Sequence, residues 1–124
     1  MNLNQVTMPS LNVDLATVFY QKLGLTLIVD ARPRYVRFVC PNGQSTLSVH
    51  LVDSLPTEPG ATIYFENDPL DDVVASLKDQ GLVFESDPED KPWLWREAHL
   101  RDPDRNLIIL YSAGENRLNP PWRI

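Results

Sequence analysis

Apolar residues along the chain fall at helical spacing in two stretches and at alternating spacing between them, in the same order twice. Leu3 to Met8 reads as a short strand with Gln5 and Thr7 on one face, and Pro9, Ser10 and Asn12 end it and supply a helix cap. From Asp14, the residues Leu15, Val18, Phe19 and Leu23 recur at the helical interval until Gly24 closes the element. Leu25 to Asp30 is the next strand, interrupted by Arg32-Pro33. Arg34 to Cys40 follows, with Val36, Phe38 and Cys40 on one face. Pro41-Asn42-Gly43 is a hairpin turn, and Ser45 to Val52 sets Leu47, Val49 and Leu51 opposite Thr46, Ser48 and His50. This half reads βαβββ.

Pro56, Pro59 and Gly60 mark residues 54–60 as a linker, after which the order repeats. Ala61 to Glu66 is a strand, Asp68 caps a helix that starts at Pro69, and Asp71 and Asp72 suit its first turn. Leu70, Val73, Val74 and Leu77 make its apolar stripe and Gly81 ends it. Leu82 to Glu85 is a strand and Ser86 to Pro92 a polar loop. Then comes a hairpin of Trp95 to Arg101 and Leu107 to Tyr111, turned by Asp102-Pro103-Asp104. Alternation puts Trp95, Glu97, His99 and Arg101 on one face, so a carboxylate and an imidazole sit about 7 Å apart along one strand. The reading is α+β with an internal duplication: a first βαβββ module at 1–53, the linker, a second module at 61–113 and a C-terminal strap at 114–124. The strap carries Asn119-Pro120-Pro121-Trp122, an extended path whose tryptophan is expected to pack on its own domain.

At 124 residues and 43% hydrophobic, the chain is sized for one globular domain or two fused halves. A net charge of -6 with no basic stripe argues against nucleic acid and anionic membranes, and suits a cationic small molecule. No apolar run has the length of a membrane span, and the start Met1-Asn-Leu-Asn-Gln5 has no basic and apolar signal pattern. The single cysteine, Cys40, is expected to be buried and inert and fits a reducing compartment, so a cytoplasmic location is expected.

The segments Leu3-Asn-Gln-Val-Thr7, Val18-Phe-Tyr-Gln-Lys-Leu-Gly-Leu25, Ile63-Tyr-Phe-Glu-Asn-Asp-Pro-Leu-Asp71 and Leu100-Arg-Asp-Pro-Asp-Arg-Asn-Leu107 resemble the vicinal oxygen chelate superfamily. That superfamily includes glyoxalase I, bleomycin-resistance proteins and extradiol dioxygenases. The resemblance implies curled sheets forming a cup, a divalent metal among the strands, and a homodimer or a monomer with its two modules closed on each other. Its metal-ligand positions fall on Gln5, on Ser48 or His50, on Thr62 and on Ile109, so the usual set is incomplete. Arg105 replaces the usual turn glycine and is expected to need positive φ.

Gln5, His50, Glu97 and His99 form a substitute ligand set suited to Zn²⁺, Fe²⁺, Ni²⁺ or Mn²⁺. The same groups also allow chemistry without metal, with Glu97 and His50 as acid–base residues. Tyr35, Arg37, Tyr64, Trp93, Trp95 and Ile109 are the expected substrate contacts, through hydrogen bonds, stacking and cation–π attraction. The plain alternative makes His50 a hydrogen-bonded wall residue, pairs Glu97 with Arg101 or Arg37, and uses the tryptophans for packing. Two functions follow. One is a glyoxalase-like enzyme acting on a substrate with adjacent oxygens by lyase or isomerase chemistry. The other is a non-catalytic protein that sequesters a small molecule.

Overall fold

Each βαβββ run builds its own four-stranded mixed sheet in the computed structural model, which describes residues 1–124. The first comprises β1 (Gln5–Ser10), α1 (Val13–Lys22), β2 (Thr26–Ala31), β3 (Tyr35–Val39) and β4 (Thr46–Leu51), in sheet order β1-β4-β3-β2. The second comprises β5 (Ile63–Glu66), α2 (Leu70–Asp79), β6 (Glu89–Asp90), β7 (Arg96–Arg101) and β8 (Leu107–Ser112), in order β5-β8-β7-β6. The first and last strands of each run pair in parallel and the remaining pairs are antiparallel. The α+β duplication read from the periodicity is therefore present. By its contacts the chain forms two compact units. Met1–Gly60 with the turn Asp102–Asn106 is one, and Ala61–Arg101 with Leu107–Ile124 is the other. No helix is long and apolar enough to cross a membrane.

In the first unit Asn12 caps α1, its Oδ1 accepting from the Leu15 amide at 3.1 Å. The face that α1 buries is Val13, Ala16, Thr17 and Tyr20 with Phe19, whereas Leu15 and Val18 are about half exposed. The stripe expected from Leu15 and Val18 is thus displaced by part of a turn. The reason is Tyr20. Its ring packs on Phe19 and Phe38, and its hydroxyl donates to Asp102 Oδ2 at 2.7 Å, so a polar residue takes a fully buried place. Asp102 is itself saturated. Its Oδ1 accepts from the Asp104 and Asn106 amides and its Oδ2 also accepts from Asn106 Nδ2. Arg105 completes this turn with φ of 68°, as its place in the turn requires.

In the second unit Leu70, Val74 and Leu77 of α2 are buried, as are Ala98, Leu100, Ile108 and Leu110 on one face of the sheet. Arg96 on β7 grips Asp71 of α2 with two nitrogens at 2.8 and 2.9 Å and holds that carboxyl below the ordinary aspartate range.

Several elements differ from expectation. The strand β1 runs through Pro9 and Ser10, because it lies at a sheet edge where a missing N–H costs no ladder bond. Pro69 is the helix cap and makes no side-chain capping bond, while Asp68 accepts from the Ser112 hydroxyl instead. The strand expected at Leu82 to Glu85 is reduced to one bridge between Phe84 and Leu100, and pairing with β7 passes to Glu89–Asp90 in the stretch read as loop. Cys40 is half-buried rather than buried, and desolvation raises its thiol. The strap starts as a 3₁₀ turn, Gly114–Arg117, and leaves Trp122 56% exposed, so that ring is not a packed anchor.

Burial, then the Asp102 carboxylate, pushes the Tyr20 phenol far above its ordinary value. The unfolded chain ionises this group near pH 10 while the folded one keeps the proton, so stability present below pH 10 is lost as pH rises beyond it. Tyr20→Phe is expected to cost about 1.5–3 kcal/mol at neutral pH in urea unfolding. It should also make the alkaline fall in stability shallower. Equal alkaline slopes in the two proteins would refute this account.

Candidate functional site

On the second sheet, the face turned away from Ala98 and Leu100 gathers Glu97 and His99 from β7, Ile109 and Tyr111 from β8, and Tyr64 from β5. The register sets Glu97 opposite Tyr111, His99 opposite Ile109, and Ile109 opposite Tyr64. Glu97 is 1% exposed. Its Oε1 accepts from the Trp93 indole N–H and its Oε2 meets His99 Nε2, each at 2.8 Å. A buried carboxylate in mid-strand needs such donors, and these two supply one per oxygen. Because a carboxylate only accepts, His99 Nε2 carries the hydrogen of this bond.

Aromatic rings surround the pair. Trp95 stacks on Tyr111 at 4.6 Å, and Tyr64 meets both edge-on at 5.7 and 5.6 Å. Trp95, Ile109 and Tyr111 belong to one small apolar cluster, so Trp95 serves packing as well as lining. Trp93 and Tyr64 are the half-exposed members and His99 keeps 27% of its side chain exposed. Burial and then the Glu97 charge raise the Tyr64 phenol, so the carboxylate's field reaches that ring. Beside it, an open cleft of about 470 Å³ is lined by Trp95, Leu94, Lys91 and Asn116 among others.

On the first sheet, the face opposite Phe38 and Leu47 carries Gln5, Tyr35, Arg37, Ser48 and His50. Ser48, fully buried, is its hub: Gln5 Nε2 donates to its Oγ at 2.8 Å and Tyr35 Oη lies 2.7 Å away. Arg37 Nε donates to Tyr35 Oη at 2.9 Å, and Thr46 donates to Gln5 Oε1. His50 is exposed, opposite Tyr35 in the register.

The expected residues therefore sort by unit. Tyr64, Trp93, Trp95, Glu97, His99 and Ile109 come together on the second sheet, and Gln5, Tyr35, Arg37 and His50 share the first. Of the expected ligands, Glu97 and His99 meet on the second sheet and Gln5 and His50 share a face of the first, and no group of three His, Cys, Asp or Glu side chains that could hold a metal ion is present. The Gln5 amide is engaged by Ser48 and Thr46, and Ile109 offers no donor atom. Within either unit, the donors present do not make up a set for the divalent metal that the resemblance implies. Glu97 is met by Trp93 and His99, and Arg101 reaches Glu85. Sequence reasoning left out Tyr111 and gave Ser48 no role of its own. Tyr111 lies two residues beyond Ile109 on the same face, which alternation alone could have flagged.

Trp93→Phe removes the donor to Glu97 Oε1 while keeping an aromatic ring. It is expected to destabilise the protein by about 1–3 kcal/mol in urea unfolding, the cost of an unsatisfied buried acceptor. A change within about 0.5 kcal/mol would show that solvent already satisfies that oxygen.

Comparison with known proteins matches this architecture. The sequence profile of the Glyoxalase/Bleomycin resistance protein/Dioxygenase superfamily matches residues 2–110. YraH of Bacillus subtilis (strain 168) is 40% identical over 51 residues, a match that spans only 40% of this chain and 40% of that relative. Among solved structures, a glyoxalase/bleomycin resistance protein/dioxygenase from Nocardioides superposes with a TM-score of 0.80 and 18% identity, over 100% of this chain and 89% of its own. Lactoylglutathione lyase from Agrobacterium tumefaciens gives a TM-score of 0.72 and 18% identity, over 90% of this chain and 92% of its own. At such identities the two structures speak for the fold, and the profile speaks for descent: the chain belongs to the glyoxalase/bleomycin resistance protein/dioxygenase superfamily.

Proposed function

We propose that this protein binds a small, planar, positively charged molecule on its second sheet and sequesters it. The observation that carries the reading is Glu97, a carboxylate that is 1% exposed and bonded at the edge of the half-exposed Trp93 indole. Buried in a low-dielectric setting, its charge is weakly screened and makes the neighbouring aromatic surface a favourable seat for a cation. The net charge of -6 adds long-range attraction of the same sign.

A second reading rests on the 2.8 Å contact between Glu97 and His99. Glu97 fixes the imidazole's tautomer and orientation, so His99 is a general base through Nδ1 and Glu97 its positioning residue. A carbon acid next to two adjacent oxygens is the matching substrate class. No step in this reading is routed through a metal.

Titration with the planar cation proflavine, followed by tryptophan quenching, tests the first reading. Saturable quenching is expected, insensitive to chelator and weakened about tenfold or more in Glu97→Gln and Trp93→Phe. Absence of saturation in folded wild-type protein would refute it. For the second reading, washout of the α-hydrogens of hydroxyacetone in D₂O should be faster with wild type than with His99→Ala, and equal rates would dismiss it.

A further inference from the structure

Arg37 stands on the first sheet without a carboxylate to neutralise it. Arg32, Arg96 and Arg101 all form ion pairs, with Asp30, Asp71 and Glu85 respectively, whereas Arg37 bonds only Tyr35 and Ser48. Arg37 spends Nε on Tyr35 Oη at 2.9 Å and on Ser48 Oγ at 3.4 Å, so its two terminal nitrogens make no bond to the protein. Its guanidinium carbon lies 5.7 Å from the Tyr35 ring centroid, which holds the group over the sheet rather than loose in water.

A count of hydrogens shows what the cluster lacks. Gln5 Nε2 donates to Ser48 Oγ, which shares a 2.7 Å hydrogen bond with Tyr35 Oη in which either hydroxyl can be the donor. Arg37 Nε–H also donates to the Tyr35 oxygen, so when Ser48 is the donor the phenol hydrogen is left to meet an incoming acceptor. The Ser48 and then the Arg37 hydrogen bonds hold the Tyr35 phenol below its ordinary value. Two free guanidinium nitrogens beside a hydroxyl that can turn its hydrogen outward match a planar monoanion, which a guanidinium grips through both oxygens.

We propose that Tyr35, Arg37 and Ser48 form a binding site for the carboxylate of a small organic acid. The terminal nitrogens of Arg37 take its charge, the Tyr35 hydroxyl donates to it, and Ser48 with Gln5 holds Tyr35 in place. This site lies in the first unit and prefers the opposite charge to the aromatic face of the second, so it does not depend on the function proposed above.

The tyrosines report on it directly. Tyr20, Tyr64 and Tyr111 are all pushed up, and Tyr35 alone is lowered, so the first phenolate to form in an alkaline absorbance titration belongs to Tyr35. That phase should vanish in Tyr35→Phe and move to higher pH in Arg37→Gln. Benzoate, bound through the Tyr35 hydroxyl, should move the phase upward in wild type, whereas an equal ionic strength of chloride should not, and Arg37→Gln should abolish the difference. At neutral pH, benzoate affinity by calorimetry should fall about tenfold or more in Arg37→Gln and in Tyr35→Phe. The proposal is overturned if no tyrosine ionises early, or if benzoate acts no differently from chloride on wild type. Proflavine quenching of wild type is read alongside, so that saturable quenching without benzoate binding marks a failure here alone.

Discussion

The candidate site hangs on one constraint, a carboxylate sealed from water in the middle of a strand. Glu97 cannot be left there without a donor for each oxygen, since an unmet charge in that setting costs several kcal/mol. Its two donors come from different places. His99 lies two residues along the same strand and follows from the pleat alone. Trp93 lies outside the strand, and its indole reaches Glu97 only because the chain turns tightly before β7, with the Leu94 amide bonded to the Lys91 carbonyl and Leu94 at φ 67°. A non-glycine residue in that region is strained. The Trp93–Glu97 bond accounts for why the strain is tolerated, and the turn in turn fixes how much of the Trp93 ring is left to solvent.

The fold was legible in the sequence wherever one physical rule acted alone. Alternation in Ser45 to Val52 set Leu47 and Val49 against Ser48, and glycine closed both helices at Gly24 and Gly81, which have the positive φ that favours it. Legibility failed where a tertiary partner decided the matter. Helix α1 has apolar residues on two adjoining faces, and nothing local reveals that Tyr20 faces inward, because its acceptor Asp102 lies 82 residues away. Strand β6 was invisible for the same reason: Glu89–Asp90 has no β propensity and exists only because β7 offers a free edge.

The site divided similarly. Glu97 with His99, and Tyr35 with Arg37, were readable because residues two apart on a strand share a face. Their grouping was not. The expected four-ligand set took one residue face from each of several strands by alternation, and it drew on strands from both halves. Within each half, the register assembles a face of its own: an anionic, aromatic one on the second sheet and a cationic, hydroxyl-rich one on the first. Ser48 illustrates the limit. A serine in a strand carries no signal of its own, and its importance arises from three neighbours that converge on it from β1 and β3.

Pro9 has a bearing on how the molecule behaves among its own copies. An exposed sheet edge is a template on which a second chain can add a strand. The outer strands β1 and β2 of the first sheet spoil that template by different means. Pro9 deletes an amide hydrogen from β1, and β2 slips register between Leu27 and Val29, which bends the edge. The second sheet ends in strands of only four and two residues. The protein can therefore carry Ile28 and Val29 largely exposed on β2 without offering a continuous ladder for edge-to-edge growth. Its colloidal stability rests on interrupted backbone hydrogen bonding as much as on its charge.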